Sequence, residues 1–441
     1  MRKRYDSYKD SGVEWIGEIP SHWENLSLGN IFTVSGRIGW KNLRSDEYVD
    51  EPNYIFLSTP NLKGKEIDFV NVNYITKERY DESPEIMLEL DDILLVKSGS
   101  TLGIVNIIRE LPKPTTVNGS SVVLKKKNES EVGSFYNYFL GSNYFQNLMK
   151  ITQGGVGVPS VNQSDIRKFK LLTPPLSEQQ QIVSFLDTKT SLIDSLIEKT
   201  QRKIELLKEK RTSLINEVVT KGLNPNVEMK DSGVEWIGDI PSHWIKTKVK
   251  YISDVVRGSI LRPVDEPLYF DENGEWTYLN ISDVSKVEKF LTYGKLRLSE
   301  LGSTKSRRVE PNNLIITGSG TVGKVFINTI PVCVHDGFIP LLNLKVNINF
   351  MFFYLINPNL YVGIGKTNSQ KNIYLDEVKE MDISIPSDTE QQQIVEYLDE
   401  QTQLIDSTIS IEEKRIELLK EYRQSLISEV VTGKLKVTTD E

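Results

Sequence analysis

The sequence predicts an α+β chain built as an internal duplication, with two mixed α/β domains and two very long helices. Three observations carry that prediction. Residues 9–23 and 230–244 are one phrase written twice, KDSGVEWIGEIPSHW and KDSGVEWIGDIPSHW, which differ only at Glu18 and Asp239. Two stretches, 177–221 and 389–432, contain neither Pro nor Gly and begin on near-identical words, SEQQQIV and TEQQQIV. Between phrase and stretch lie two segments that have diverged while keeping a common order of elements. The organisation read from this is a repeated motif at 1–23, a domain at 24–175 and a long helix at 176–222. A linker with the second motif follows at 223–244, then a domain at 245–387, a long helix at 388–434 and a tail at 435–441.

The first long helix follows Pro174-Pro175, which block helix upstream, and Ser177 with Gln180 has the form of a capping box. Gly222 stands where a glycine stop is expected, with Pro225 just beyond. At 1.5 Å per residue such a helix spans roughly 64 Å. Ile182, Ile193, Ile204 and Ile215 recur every eleven residues, as do Phe185, Leu196, Leu207 and Val218. Eleven residues over three turns keeps the apolar stripe on one side of a nearly straight rod. The second stretch repeats the pattern with Ile394, Ile405, Ile416 and Ile427. A rod with one apolar face needs a partner, and two matched rods in one chain are read as a pair. The pattern leaves their relative direction open. The second rod enters through Ser387-Asp388 where the first has Pro175-Leu176, and the same helix start is expected.

The divergent segments align by skeleton. Each opens on a short amphipathic run (28–34; 249–256) and a Gly turn at Gly36 or Gly258. An extended run follows from Tyr54 or Trp276. A β-rich stretch then enters a Gly/Ser/Thr loop, ILLVKSGSTLGIV from Ile93 and LIITGSGTVGKVF from Leu314. Aromatic-rich helices around 135–149 and 350–360, a polar loop (TQGGVGVPS; GKTNSQKN) and a last strand lead into each rod. Four of the six tryptophans, Trp15, Trp23, Trp236 and Trp244, lie in the repeated phrase. Two readings of them stand side by side: the same packing in each half, or a docking surface presented twice.

Hydrophobic content of 38% and charged content of 26% are those of a soluble globular protein, and 441 residues suffice for several cores. The single Cys333 excludes an internal disulfide framework and suits a reducing cytoplasm. The start, MRKRYDSYKD, lacks the apolar run of a signal peptide, and the most apolar segment, 349–356, is too short to span a bilayer. A net charge of −8 does not exclude nucleic acid, because phosphate binding depends on a local basic face.

No catalytic centre announces itself. Gly318 to Lys324 nearly fits a phosphate-binding loop, but Val325 replaces the Ser/Thr that would hold magnesium and the continuation reads as strand. His22, His243 and His335 form no cluster with metal spacing, so no metal site is expected. Asn357-Pro358-Asn359-Leu360 lacks the second Pro and the aromatic of an adenine-methyltransferase tetrapeptide and reads as a helix end. What remains is basic, amide and hydroxyl residues, with one loop glycine, on polar loops suited to phosphate and base edges of DNA. They are Arg37, Lys41, Arg44, Lys97, Ser98, Ser100, Thr101, Gln153 and Gly154 in the first segment. In the second they are Arg257, Arg262, Arg307, Arg308, Thr317, Ser319, Thr321, Lys324, Asn368 and Lys371.

DSGVEWIGEIPSHW at the start, the Gly/Ser loop, and PPLSEQQQIVSFLD opening a long helix together resemble the specificity subunit of type I restriction–modification systems. The resemblance covers both halves of the chain. It implies two target-recognition domains separated by an antiparallel helix pair, each domain reading one half of a split, asymmetric site on double-stranded DNA. It implies a non-catalytic chain that holds no cofactor itself. Two modification subunits would bring S-adenosylmethionine and methylate adenine, and restriction subunits would use ATP and magnesium. The reading of another class is a stand-alone DNA-binding or scaffolding protein without a methylase partner.

Overall fold

The computed structural model describes residues 4–13, 16–37, 47–63, 66–154, 157–361 and 372–437. Contacts divide the chain into two compact units, one of residues 1–200 with 414–441 and one of residues 201–413. Each unit therefore takes part of both long helices, so the division cuts across the rods rather than between them.

The first rod is a single helix, Leu176–Lys221, and the second is Asp388–Val431. Both end on glycine in the left-handed region, Gly222 at φ 75° and Gly433 at φ 71°, as the sequence led us to expect. The starts differ. The first helix begins at Leu176, with Ser177 inside its first turn, so Ser177 is not the cap; Pro175 holds that position, and its carbonyl accepts from the Gln179 N–H at 3.0 Å. The second rod has a capping box. Ser387 Oγ accepts from the Glu390 N–H at 3.4 Å, and the Glu390 carboxylate accepts from the Ser387 N–H at 3.4 Å.

Within each unit the rod segments run antiparallel and bury their isoleucine stripes. All eight isoleucines of the two stripes are buried. In the first unit Ile182 and Ile193 share a core with Ile427, Val430 and Val431. In the second, Ile215, Val218 and Val219 share one with Ile394 and Leu398. Ion pairs flank both seams at matching places. Arg423 Nε lies 2.8 Å from Asp194 in the first unit, and Arg211 Nε lies 2.9 Å from Asp406 in the second. Lys203 adds a bond of 2.5 Å to Glu412, whose side chain is mostly covered.

The repeated phrase explains its near-identity here. In each unit it forms a two-stranded ribbon, Tyr8–Asp10 with Glu18–Pro20 and Met229–Asp231 with Asp239–Pro241. It then turns its Trp onto a rod. Trp23 (0% exposed) donates Nε1–H to Glu178 at 3.1 Å, and His22 Nε2 lies 2.5 Å from the same carboxylate. Trp244 (1% exposed) and His243 take Glu390 in the same way, at 3.5 and 3.0 Å. The other face of each indole meets the end of the opposite rod. A Cβ on Gly222 would sit 3.1 Å from Trp244, and one on Gly433 3.4 Å from Trp23.

The two α/β domains keep a shared sheet plan. In the first, a four-stranded antiparallel sheet runs in the spatial order Phe32–Ser35, Ser121–Lys126, Ile93–Val96, Val105–Ile107. In the second, the counterpart is Asp254–Val255, Phe338–Leu342, Asn313–Thr317, Val325–Asn328, with Phe290–Leu291 added in parallel at one edge. The smaller sheet of the first domain orders Asn73–Ile75, Tyr54–Leu57, Thr115–Val117. The second domain repeats that order in Leu296–Leu298, Trp276–Leu279, Val332–Val334 and appends an edge strand, Arg307–Val309. In both, the middle pairing is parallel, Ile55↔Thr115 and Thr277↔Val332. The strand Lys170–Thr173 closes on Glu24–Ser27, and Asp382–Ile385 on Ile245–Lys248.

Because Trp244 fills a core and holds a carboxylate at a helix start, Trp244→Ala is expected to destabilise its unit by about 3–5 kcal/mol. Chemical denaturation followed by intrinsic fluorescence checks this; Trp236→Ala, whose ring is only half-buried, serves as the milder comparison.

Candidate nucleic-acid interface

In the first domain, Ser98 to Gly103 closes the hairpin between Ile93–Val96 and Val105–Ile107. Gly99 and Gly103 take φ of 100° and 89°, a region that favours glycine. Gln146 seals the turn from behind, donating Nε2–H to the carbonyls of Gly103 and Leu140, both at 2.7 Å. A second, distant loop is stitched to this one. The Gly99 N–H donates to Pro159 O at 2.9 Å, the Val161 N–H to Lys97 O at 2.9 Å, and Gly154 and Ser160 exchange two more bonds. Lys97, Ser98 and Thr101 are half-exposed on the joined surface, while Ser100, Gln153 and Gly154 are exposed. Two segments singled out separately in sequence thus form one surface.

In the second domain the equivalent loop follows Asn313–Thr317. Three backbone bonds fix the correspondence. The Gly318 N–H donates to Gly337 O at 2.8 Å as Lys97 does to Ser120 O, Ile373 donates to Gly318 O at 2.9 Å as Val161 does to Lys97 O, and Thr317 donates to Lys324 O as Val96 does to Ile104 O. Gly318 therefore stands where the first domain has Lys97. Ser319 is half-exposed and Thr321 exposed. Thr317 is buried, its hydroxyl bonded to Thr321 O and accepting from the Lys324 N–H at 3.0 Å. It closes the loop and presents nothing outward. Lys324 leads into the strand Val325–Asn328, so no helix N-terminus follows to cradle a phosphate. Its half-buried side chain lines a cavity of about 760 Å³ with Arg211 and Asp406 of the rods.

Several expected DNA residues have other work. Arg37 is buried, its Nε 3.5 Å from Val117 O and its guanidinium 5.7 Å from the Phe56 ring centre; burial and neighbouring Arg79 lower its pKa. Arg308 is clasped by Glu300 and by Ser303 Oγ (2.5 Å) and lies 5.0 Å over Trp276. Arg257 donates Nε–H to Asp336 O at 3.1 Å and lies 3.6 Å from that carboxylate. Arg262 and Arg307 are exposed. Trp23 and Trp244 are core residues whose rings offer no docking surface, and Trp236 packs 5.8 Å from Tyr354. Lys41, Arg44, Asn368, Lys371 and Trp15 lie outside the described residues.

Sequence reasoning passed over Glu178 and Glu390, although their place in SEQQQIV and TEQQQIV was a legible signal. It weighs His335 only as a metal ligand, whereas the structure places it beside the second loop. His335 Nδ1 accepts from the Gly337 N–H at 3.0 Å and the ring packs 4.8 Å from Phe338. Burial lowers its pKa from 6.5, more than nearby Asp336 raises it. Among the described residues, no three His, Cys, Asp or Glu side chains gather as a metal site, and no helix is long and apolar enough to cross a membrane.

This architecture, two domains of one plan each closed by a helix pair and an indole staple, is that of a DNA specificity subunit. The chain belongs to the type I restriction modification DNA specificity domain family, whose model matches residues 20–206 and again 241–421. Two relatives assigned as type I restriction enzyme specificity subunits in Methanocaldococcus jannaschii, MjaX and MjaVIII, are similar nearly end to end. The first is 25% identical over 438 residues (96% of each chain), the second 24% over 445 residues (95% of this chain, 94% of the relative). The fold is shared with the HsdS subunit from Thermoanaerobacter tengcongensis at a TM-score of 0.57, 15% identity and coverage of 95% and 98%. A chain from a study of type I R-M complex assembly and conformational transition superposes at 0.74, with 14% identity over 94% of this chain and 98% of that one.

A base whose pKa falls on folding binds protons more readily when unfolded, so its contribution is lost as pH drops. The second unit should therefore weaken below 6.5, the ordinary value for His335, toward the lowered folded value. Denaturant midpoints measured across that range should fall for the native chain and stay flatter for His335→Gln.

Proposed function

We propose that this chain is the non-catalytic, sequence-reading subunit of a type I restriction–modification complex. Each recognition domain reads one half of a bipartite, asymmetric target on double-stranded DNA. The rods set the spacer and carry two modification subunits, which bring S-adenosylmethionine and methylate adenine. Restriction subunits would add ATP-driven cleavage with magnesium. The observation that carries this reading is the contrast between the scaffold and the loops. The staple of Trp, His and Glu is repeated in both units with near-identical sequence, while the loops at Ser98–Gly103 and Gly318–Gly323 differ in side chains on a shared backbone plan. Equal scaffolds suit equal partners, and unequal loops suit unequal half-sites.

The family membership, together with separate loop surfaces in the two domains, favours DNA reading over a pure scaffolding role. Sequencing adenine methylation in cells with and without the gene tests it. A split, non-palindromic motif that disappears with the gene is expected, and an unchanged methylation pattern would refute the assignment. Lengthening both rods by equal insertions should widen the gap between half-sites without altering either half. The isolated chain is also expected to bind neither S-adenosylmethionine nor ATP in titration calorimetry; saturable micromolar binding of either would place chemistry in this subunit.

A further inference from the structure

The two domains differ most usefully at one position of the shared loop. Lys97 in the first domain is half-exposed at the base of the joined loops, and no carboxylate lies within ion-pair distance of it among the described residues. At the matching place the second domain has Gly318, which has no room for a side chain: a Cβ there would come 2.8 Å from the carbonyl oxygen of Ile373. The Gly318–Gly323 loop therefore lacks the cation its counterpart carries. Lys324, the nearest in sequence, lines the cavity beside the rods, and Arg257 is bonded to Asp336.

The second domain instead carries cations on the edge strand Arg307–Val309, laid antiparallel on Val332–Val334; the matching segment of the first domain, Ile86 to Leu88, whose Leu88 N–H donates to Thr115 O at 2.9 Å, carries none. Arg307 pairs with Val334 in that ladder and its side chain is exposed, whereas Arg308 faces Glu300 and Trp276. Lys305 precedes it, also exposed. The segment carrying Arg262 is held alongside: the Ser259 N–H donates to Val334 O at 2.9 Å and Ser306 Oγ donates to Ser259 O at 3.0 Å. Leu261 anchors that segment in the core beneath, with Arg262 exposed beyond it and Tyr269 donating its hydroxyl hydrogen to Arg262 O at 3.2 Å. Of the acids that follow Arg262, Glu266 is occupied in capping the Leu268 N–H, and Asp265 is exposed. The basic edge is continuous with the loop through residues 335–337, since Gly337 bonds Gly318 on one side and Val334 bonds Ser259 on the other.

Resting on the DNA-reading function above, we propose that Arg262, Lys305 and Arg307 form a phosphate clamp that replaces, in the second domain, the anchor supplied by Lys97 in the first. The clamp positions the second domain on the sugar–phosphate backbone and leaves base reading to the loops. Long exposed cations held on a strand edge and a tethered segment suit phosphate oxygens, which need charge rather than a fixed donor pattern.

The test uses the full chain with its modification subunits and two duplexes, one carrying the methylated motif and one lacking it. The native complex, Arg262→Gln/Arg307→Gln, and Arg262→Lys/Arg307→Lys are titrated across a range of salt. Neutralising a cation that grips one phosphate should flatten the log–log salt slope by about 0.9, so the double Gln variant should lose roughly two units of slope. It should weaken both duplexes by the same factor and leave the methylation motif unchanged, and the Lys variant should restore the slope. Native-like slope and affinity in the Gln variant, or a methylation motif relaxed at one base of a half-site, would overturn the clamp. A native complex that does not distinguish the two duplexes would instead refute the DNA-reading function itself.

Discussion

Two carboxylates in the first turns of the rods, Glu178 and Glu390, are the constraint on which the rest hangs. Each sits near the positive end of a long helix, where a negative charge is favoured, and each is held by a buried indole N–H and an imidazole from the repeated phrase. The same indole packs against the glycine that ends the opposing rod. One side chain thus fixes the start of one helix against the finish of another, which pins their antiparallel register within the unit. The Arg–Asp pairs flanking the seam, Arg423–Asp194 and Arg211–Asp406, then fall at matching points as a consequence.

The scaffold was legible because its signals are local. Pro174-Pro175, Gly222 and an isoleucine every eleven residues specify where a rod begins, where it stops and which face it buries, and none of this waits on tertiary structure. Ser177 does not cap because a serine caps only from outside the helix, and Pro175, whose carbonyl accepts the first helical bond from Gln179, already occupies that position. The role of the tryptophans stayed undecided because burial and docking ask for the same residue; only the neighbouring carboxylate distinguishes them.

The loop residues were legible in part. Gly, Ser and Thr at a hairpin tip identify a turn, and a polar loop after an aromatic helix identifies another, but sequence does not say that the two are bonded edge to edge through Gly99 and Pro159. Charged residues fared worst. Arg37 and Arg308 both read as surface cations, and each is turned onto side chains of its own domain: the Phe56 ring, and Glu300 with Trp276. An arginine is apolar along most of its length, so packing decides its direction as much as charge does.

The first unit is built from two stretches of sequence that flank the second. Its core closes only when Leu426, Ile427, Val430 and Val431 join residues from Tyr5 onward, whereas the second unit is one continuous run, 201–413. On the ribosome, the half synthesised later has all its parts first. The half begun first stays open along its helix until residues 426–431 emerge, so nascent chains should expose the Ile182 and Ile193 seam from its own synthesis until the whole of residues 201–413 has been made.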